Sequence, residues 1–195
     1  MDNIILASQS PRRQQLLTQA GITFQVVVSD VDEEQLPLLD VEKIPEYLAQ
    51  LKAKTVAQKY PDALLIAADT LVILENEILS KPKSLIEAKT MLQKLSGKMH
   101  KVISGVCIGN DQKWITFSAC TEVYFKALNI AQIEHYVQHY QPLDKAGAYA
   151  IQEWIGLIGI EKIVGDYYNV MGLPINLVIE TLMKEFQIVF TDIKG

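Results

Sequence analysis

Residues 5–17 read ILASQSPRRQQLL. An apolar run ends at Ala7, small polar residues follow, and Pro11 opens a stretch with helical character. Ser10 has the chemistry of a helix N-cap, and Pro11 stands at the first helical position, where a missing N–H costs nothing. The segment therefore reads as strand, tight turn and helix. Arg12 and Arg13 then fall in the first helical turn, the positive end of the helix dipole. Cations there are disfavoured by about 0.3–1 kcal/mol each at an exposed site. Free backbone N–H groups and that field make a ready anion site, and arginine meets phosphate oxygens two at a time. The turn is either a phosphate site or two arginines pointing into water. On the first reading, losing either arginine should cost the ligand-free fold little.

Outward from this turn, strand-like and helix-like segments alternate. Strands are expected at Ile4–Ala7, Phe24–Val28 and in ALLIAADTLVIL (63–74), with Glu75-Asn76 turning the chain into Ile78-Leu79. Alternation over Lys101–Ile108 and Trp114–Phe125 suggests a strand pair. Helical spacing covers Pro11–Gln19, Pro45–Lys59, a segment from Ser84 to Leu95, Ile130–His139 and Ile175–Phe186. Ser84 with Glu87 has the form of a capping box, Gly97 that of a C-cap, and Asn129 can cap its helix. Ile188–Phe190 reads as a last strand. No repeat, linker or low-complexity tract interrupts the pattern. The fold class is α/β with a mixed sheet, read as a single domain over residues 1–195, because the hairpins exclude an all-parallel layout.

Composition narrows the partners. The chain has 195 residues and a formal net charge of -5. A general field of that sign does not hold a nucleic-acid polymer, so any bound anion must meet a local cation cluster. No run approaches the roughly 20 apolar residues that span a bilayer. Cys107 and Cys120 form no CxxC pair and read as buried free thiols of a reducing compartment. The expectation is a soluble, cytoplasmic protein. Neither GxGxxG after the first strand nor GxxxxGK[ST] is present. His135 and His139 share a helix face but lack a third ligand, and no GxSxG marks a serine nucleophile.

Asp69 interrupts the apolar run from Ala63 to Leu74. A buried lone carboxylate is neutralised, paired or bound to metal, and at a strand end it is a natural general base or metal ligand. Lys52, Lys81 and the acidic run Asp32-Glu33-Glu34 are each ordinary solvated charges alone. Converging, they would suit a triphosphate with a divalent ion.

The stretches LASQSPRRQQLL, DEE (32–34), LAQLKA around Lys52, AADTLV (67–72), KP (81–82), EAKTMLQKLSGKMHKVISGV, DKAGAYAIQ and NVMGLP, taken together and in this order, resemble the Maf family of nucleoside triphosphate pyrophosphatases. The resemblance implies a fold of the Maf and inosine-triphosphatase type, an elongated mixed sheet with flanking helices and two lobes around a central cleft. It implies water attack at the α-phosphorus, releasing a monophosphate and pyrophosphate, with Mg, Mn or Co as divalent cofactor. Carried over, Asp69 is the general base. Ser8, Arg12, Arg13, Lys52 and Lys81 hold the phosphates, and Glu33 joins Asp69 in placing the metal. Arg12, Thr70 and Gln152 match positions associated with base choice, here resembling the branch that acts on dTTP and UTP. A 7-methyl-GTP pyrophosphatase and a nucleotide-binding regulator of cell division are the competing readings, and a homodimer is left open. Ser80 and Glu153 depart from the family's usual glycines, and Glu153 would set a carboxylate beside Gln152.

Overall fold

A computed structural model of the protein describes residues 3–31 and 38–189. The strands are β1 (Ile4–Leu6), β2 (Gln25–Val26), β3 (Leu64–Leu74), β4 (Glu77–Leu79), β5 (Met99–Gly109), β6 (Trp114–Phe125) and β7 (Ile160–Val164). The helices are α1 (Pro11–Gln19), α2 (Ile44–Ala57), α3 (Leu85–Leu95), α4 (Ile130–Tyr140), α5 (Trp154–Gly159), α6 (Tyr167–Val170) and α7 (Ile175–Phe186). The strands hydrogen-bond in the order β2-β1-β3-β5-β6-β7, with β4 added to β3. β1 runs parallel to β2 and β3, whereas β4 is antiparallel to β3 and β7 to β6. The fold is thus mixed α/β, as the alternation of segments requires.

The chain forms two compact units. The first comprises Met1–Asp69, Ser104–Ala119 and Gly172–Gly195. Its core joins Ile5 and Ala7 of the first strand region, Ala63, Leu65 and Ala67 of the β3 region, and Ala49, Ala53 and Val56 of α2, with Cys107. Period-two alternation puts residues 63, 65, 67 and 69 on one face of the strand, and that face meets α2 through small side chains. Gly105 lets the start of α2 come still closer. A Cβ there would lie 2.2 Å from both Glu46 N and the Pro45 carbonyl carbon.

The second unit comprises Thr70–Ile103 and Cys120–Met171. It holds the β3–β4 hairpin, α3, α4 and the loop of residues 141–153. Asn169 is fully buried and donates from Nδ2 to Val102 O and Thr121 Oγ1, each at 3.0 Å. Asn169, the first residue of the NVMGLP motif, is therefore structural, tying its segment to two strands.

Several expectations change in detail. Ser10 occupies the N-cap position of α1 but makes no side-chain cap bond; its N–H donates instead to Ser8 Oγ at 3.2 Å. Phe24–Val28 yields only the short, exposed β2. The Ser84 hydroxyl accepts from Glu87 N, but the Glu87 carboxylate turns to Lys83 N at 2.7 Å, so the box is half formed. The full box belongs to Asn129 and Gln132 on α4. Gly97, at φ 70°, stands one residue past the cap Ser96. Ile188 and Val189 are not strand, and Phe190 lies outside the described residues. Cys107 is buried, whereas Cys120 is exposed, because it falls on the open face of β6.

Gly105→Ala must displace backbone, not a flexible side-chain tip. Overpacking of this kind costs about 1–3 kcal/mol. Urea unfolding should show at least that loss, and a variant as stable as the parent would mean that α2 and β5 do not meet this closely.

Candidate active site

The first unit gathers five of the residues singled out in the sequence. Asp69 ends the face Ala63-Leu65-Ala67, and Lys52 lies on the side of α2 that carries Ala49 and Val56. The two meet: Lys52 Nζ is 2.6 Å from Asp69 Oδ1, with both residues buried, at 7% and 8% exposure. Burying both charges is tolerable because each compensates the other and the hydrogen bond is direct. The apolar run thus carries its carboxylate as one half of an ion pair.

Arg13 is buried on α1. Its Nε donates to Gly172 O at 2.8 Å and its Nη1 to Ser8 Oγ at 3.0 Å. Ser8 is buried too and also receives Ser10 N–H, so a single hydroxyl organises the turn. The expectation that either arginine could be lost at little cost to the fold fails for Arg13, which ties α1 to the glycine of NVMGLP. Arg12, one position earlier, is half-buried.

The second unit holds Thr70, Lys81 and Gln152. Thr70 is half-buried, while Lys81 and Gln152 are exposed. Ser80 has no left-handed backbone, so its departure from glycine carries no strain, and its carbonyl accepts from Gly147 N at 3.3 Å. That contact ties the Lys81 strand end to the DKAGAYAIQ loop. Glu153 does not stand free beside Gln152. Its Oε2 accepts from the Tyr136 hydroxyl, and Lys145 Nζ lies 3.4 Å from its Oε1. Tyr149 of the same loop is anchored by His100, whose Nε2 shares a hydrogen bond of 2.7 Å with the phenol. Phe125 stacks edge-on against Tyr149 with ring centroids 5.1 Å apart.

Glu33, with Asp32 and Glu34, lies outside the described residues. Among the described residues, no group of three His, Cys, Asp or Glu side chains could hold a metal ion. His135 and His139 share an exposed face of α4, with ring centroids 4.2 Å apart. No described helix is long and apolar enough to cross a membrane. Tyr136 and Lys145 also belong to the cluster around Glu153. Lys145 stands in DKAGAYAIQ, and Tyr136 is hidden in the apolar stripe of Ile133 and Val137.

These features define an α/β protein with a buried lysine–carboxylate pair and an arginine-bearing helix start braced from within. The chain belongs to the Maf-like protein family, whose family model matches residues 3–185. Among curated relatives, a dTTP/UTP pyrophosphatase of Cytophaga hutchinsonii is 50% identical over 94% of this chain and 84% of its own. One of Porphyromonas gingivalis is 46% identical over 94% of each chain. One of Phocaeicola vulgatus is 47% identical over 93% of this chain and 95% of its own. A solved nucleoside-triphosphatase/dITP/XTP pyrophosphatase of Mycobacterium abscessus overlaps 65% of this chain and 75% of that one, with a TM-score of 0.45 and 16% identity.

Lys52→Ala leaves the Asp69 carboxylate buried and unpaired, which costs about 3–5 kcal/mol. Replacing both residues, as in Lys52→Met with Asp69→Leu, should recover most of that loss in urea melts. If the single and double variants lose equally, the two side chains do not form a pair.

A second test concerns pH. Burial pushes the His100 imidazole down to about 3. Its Nδ1 is buried with no acceptor, so a second ring N–H would go unsatisfied. The unfolded chain binds that proton near the ordinary value of about 6.5. Below it the unfolded state therefore binds more protons, and stability falls as the pH drops towards 3, by at most about 1.4 kcal/mol per pH unit. The His100 contribution is whole above about 6.5. Urea midpoints between pH 7.5 and 4.5 should fall less steeply for His100→Gln than for the parent, and parallel curves would rule the histidine out as a cause of acid lability.

Proposed function

We propose that the chain hydrolyses dTTP and UTP to the monophosphate and pyrophosphate, with residues 1–195 acting as one catalytic domain. The observation that carries this reading is the buried Asp69–Lys52 pair in a chain of the Maf-like family. In it, Asp69 accepts a proton from the attacking water. Lys52, hydrogen-bonded to the same carboxylate, brings positive charge to the α-phosphate end of the substrate as negative charge builds up. Arg12 and the N–H groups at the start of α1 meet further phosphate oxygens, and Ser8 and Arg13 hold that turn in shape while contributing donors. Lys81 adds an exposed cation just after β4. Arg12, Thr70 and Gln152 read the base.

A divalent ion such as Mg, Mn or Co belongs to the same reading. Hard cations bind through one or two carboxylates plus substrate phosphates and keep several waters, so a cage of three protein ligands is not required. Asp69 supplies one buried carboxylate and Glu33 is proposed as the second. When bound, the ion neutralises phosphate charge and polarises the phosphorus–oxygen bonds.

Thymine and uracil present an N–H flanked by carbonyls, and a glutamine amide offers both a donor and an acceptor to match. A base bearing an extra positive charge, as in 7-methyl-GTP, would want a free carboxylate. Glu153 is already engaged by Lys145 and Tyr136, which favours the pyrimidine substrates. A cytoplasmic location fits two cysteines that are not joined in a disulfide. Self-association to a homodimer is the remaining part of this reading.

Asp69→Asn keeps the shape and removes the base, so turnover should fall by about 10²-fold or more while dTTP still binds. With Mg2+, Mn2+ or Co2+, the unaltered protein should give dTMP and pyrophosphate. Release of dTDP and inorganic phosphate would move the attack to the γ-phosphorus and end this assignment.

A further inference from the structure

The loop that carries Gln152 is held by one phenolic oxygen. Gln152 lies in a four-residue turn from Ala150 to Glu153, closed by Glu153 N–H to Ala150 O at 3.1 Å. The Tyr136 hydroxyl accepts from Ala150 N–H at 3.2 Å and donates to Glu153 Oε2. Both ends of the turn therefore converge on the same oxygen. We propose that Tyr136 is a positioning residue for base selection, fixing the turn that presents Gln152 through Ala150 and Glu153. The inference rests on the dTTP/UTP reading above and deepens it.

Tyr136 is itself fixed. It is fully buried on α4, a helix capped in both directions by the Asn129–Gln132 box, and its ring stacks on Tyr140 with centroids 4.9 Å apart. One hydrogen bond would satisfy a buried tyrosine. This hydroxyl makes two, and both go to the turn. Burial, and then Glu153, raise the phenol above its ordinary range, so it stays a donor throughout the working range of pH.

The Glu153 side chain shows the same purpose from the other side. Glu153 occupies the N-cap position of α5 but makes no capping bond, and glutamate is not a favoured N-cap. Its carboxylate goes instead to Tyr136 and to the buried Lys145, whose Nζ also pairs with Asp144 Oδ1 at 2.7 Å. The turn is further boxed in by Gly156, where a Cβ would lie 1.8 Å from Ile151 O. An exposed amide discriminates between bases only if its backbone cannot adjust to the wrong one, because selectivity comes from leaving polar groups unpaired. The groups assigned to phosphate and to the attacking water lie on other segments. Loosening the turn should therefore damage base choice and spare the chemical step.

The test compares kcat/KM for dTTP and CTP in the parent, Tyr136→Phe, Glu153→Ala and Glu153→Gln. Tyr136→Phe removes only the oxygen. It should lower the dTTP-to-CTP preference by about tenfold, chiefly through a higher KM for dTTP, with kcat held within about threefold. Glu153→Ala should do the same, and it carries the test if Tyr136→Phe does not fold. Glu153→Gln keeps an acceptor for the phenol and should restore most of the preference. Equal losses for both nucleotides, with the preference unchanged, would show that Tyr136 only supports the fold and would overturn the inference. A parent protein that releases no pyrophosphate from either nucleotide would overturn the functional reading, and this inference with it; a parent that does so while Tyr136→Phe keeps full preference overturns the inference alone.

Discussion

Asp69 can sit in an apolar strand only because Lys52 meets it at 2.6 Å. Much of the first unit follows from bringing those two groups together. The strand face leading to Asp69 is Ala63, Leu65 and Ala67, and the helix face flanking Lys52 is Ala49, Ala53 and Val56. Small side chains on both sides let the helix lie close enough for a lysine to reach the strand without leaving a void. Gly105 removes the obstacle at the other end of the helix, where any side chain would strike the backbone of Pro45 and Glu46. Packing and chemistry are the same constraint here. The alanines that look like filler in the sequence set the distance between two charges.

The two arginines at the head of α1 divide the work. Both stand where a helix repels cations. Arg13 escapes that penalty internally, by donating to the Gly172 carbonyl and to Ser8. Its charge is buried against backbone and hydroxyl oxygens, so it braces the turn whether or not a ligand is present. Arg12 is more open. One arginine thus ties the turn to the segment around residue 172, and the other is the one the proposed function assigns to an anion. A sequence reading that treats them as equivalent misses this, because the distinction depends on which side of the helix faces the segment around residue 172.

The long elements were legible because their periods are strong. β3, β5 and β6 announce themselves through runs of apolar residues, and α2, α4 and α7 through stripes that recur every three or four residues. The stretch from Trp154 to Val170 was not legible: α5, β7 and α6 are short and glycine-punctuated, and hydrogen bonds to distant strands hold them in place more than their own propensity does. Ile188 has the β-branched, apolar character of a strand residue, but its N–H donates to Leu182 O at the end of α7 and not to a strand. At the site, Asp69 was visible as an anomaly in an apolar run, and Lys52 as a lysine within a helical stripe. Their pairing was not, although counting faces would have aligned residues 63, 65, 67 and 69 against 49, 52 and 56. The Tyr136 contact carried no sequence signal, since a tyrosine between Ile133 and Val137 is indistinguishable from ordinary core.

Glu153 shows how far charge alone misleads. Read along the chain, it is an acid beside the residue assigned to the base, and it threatens repulsion. In the fold, Lys145 and Tyr136 take both of its oxygens. The lysine is as buried as Lys52, so the second unit repeats the device of the first, with a buried ammonium holding a carboxylate in a fixed place. The outcome differs because the partners differ. Asp69, midway along β3, meets its lysine through Oδ1, and in the proposed reaction its carboxylate acts on a water. Glu153 is committed on both oxygens and is left a mechanical part. A carboxylate's role in this fold is decided less by its own position than by how many of its lone pairs the protein has already claimed.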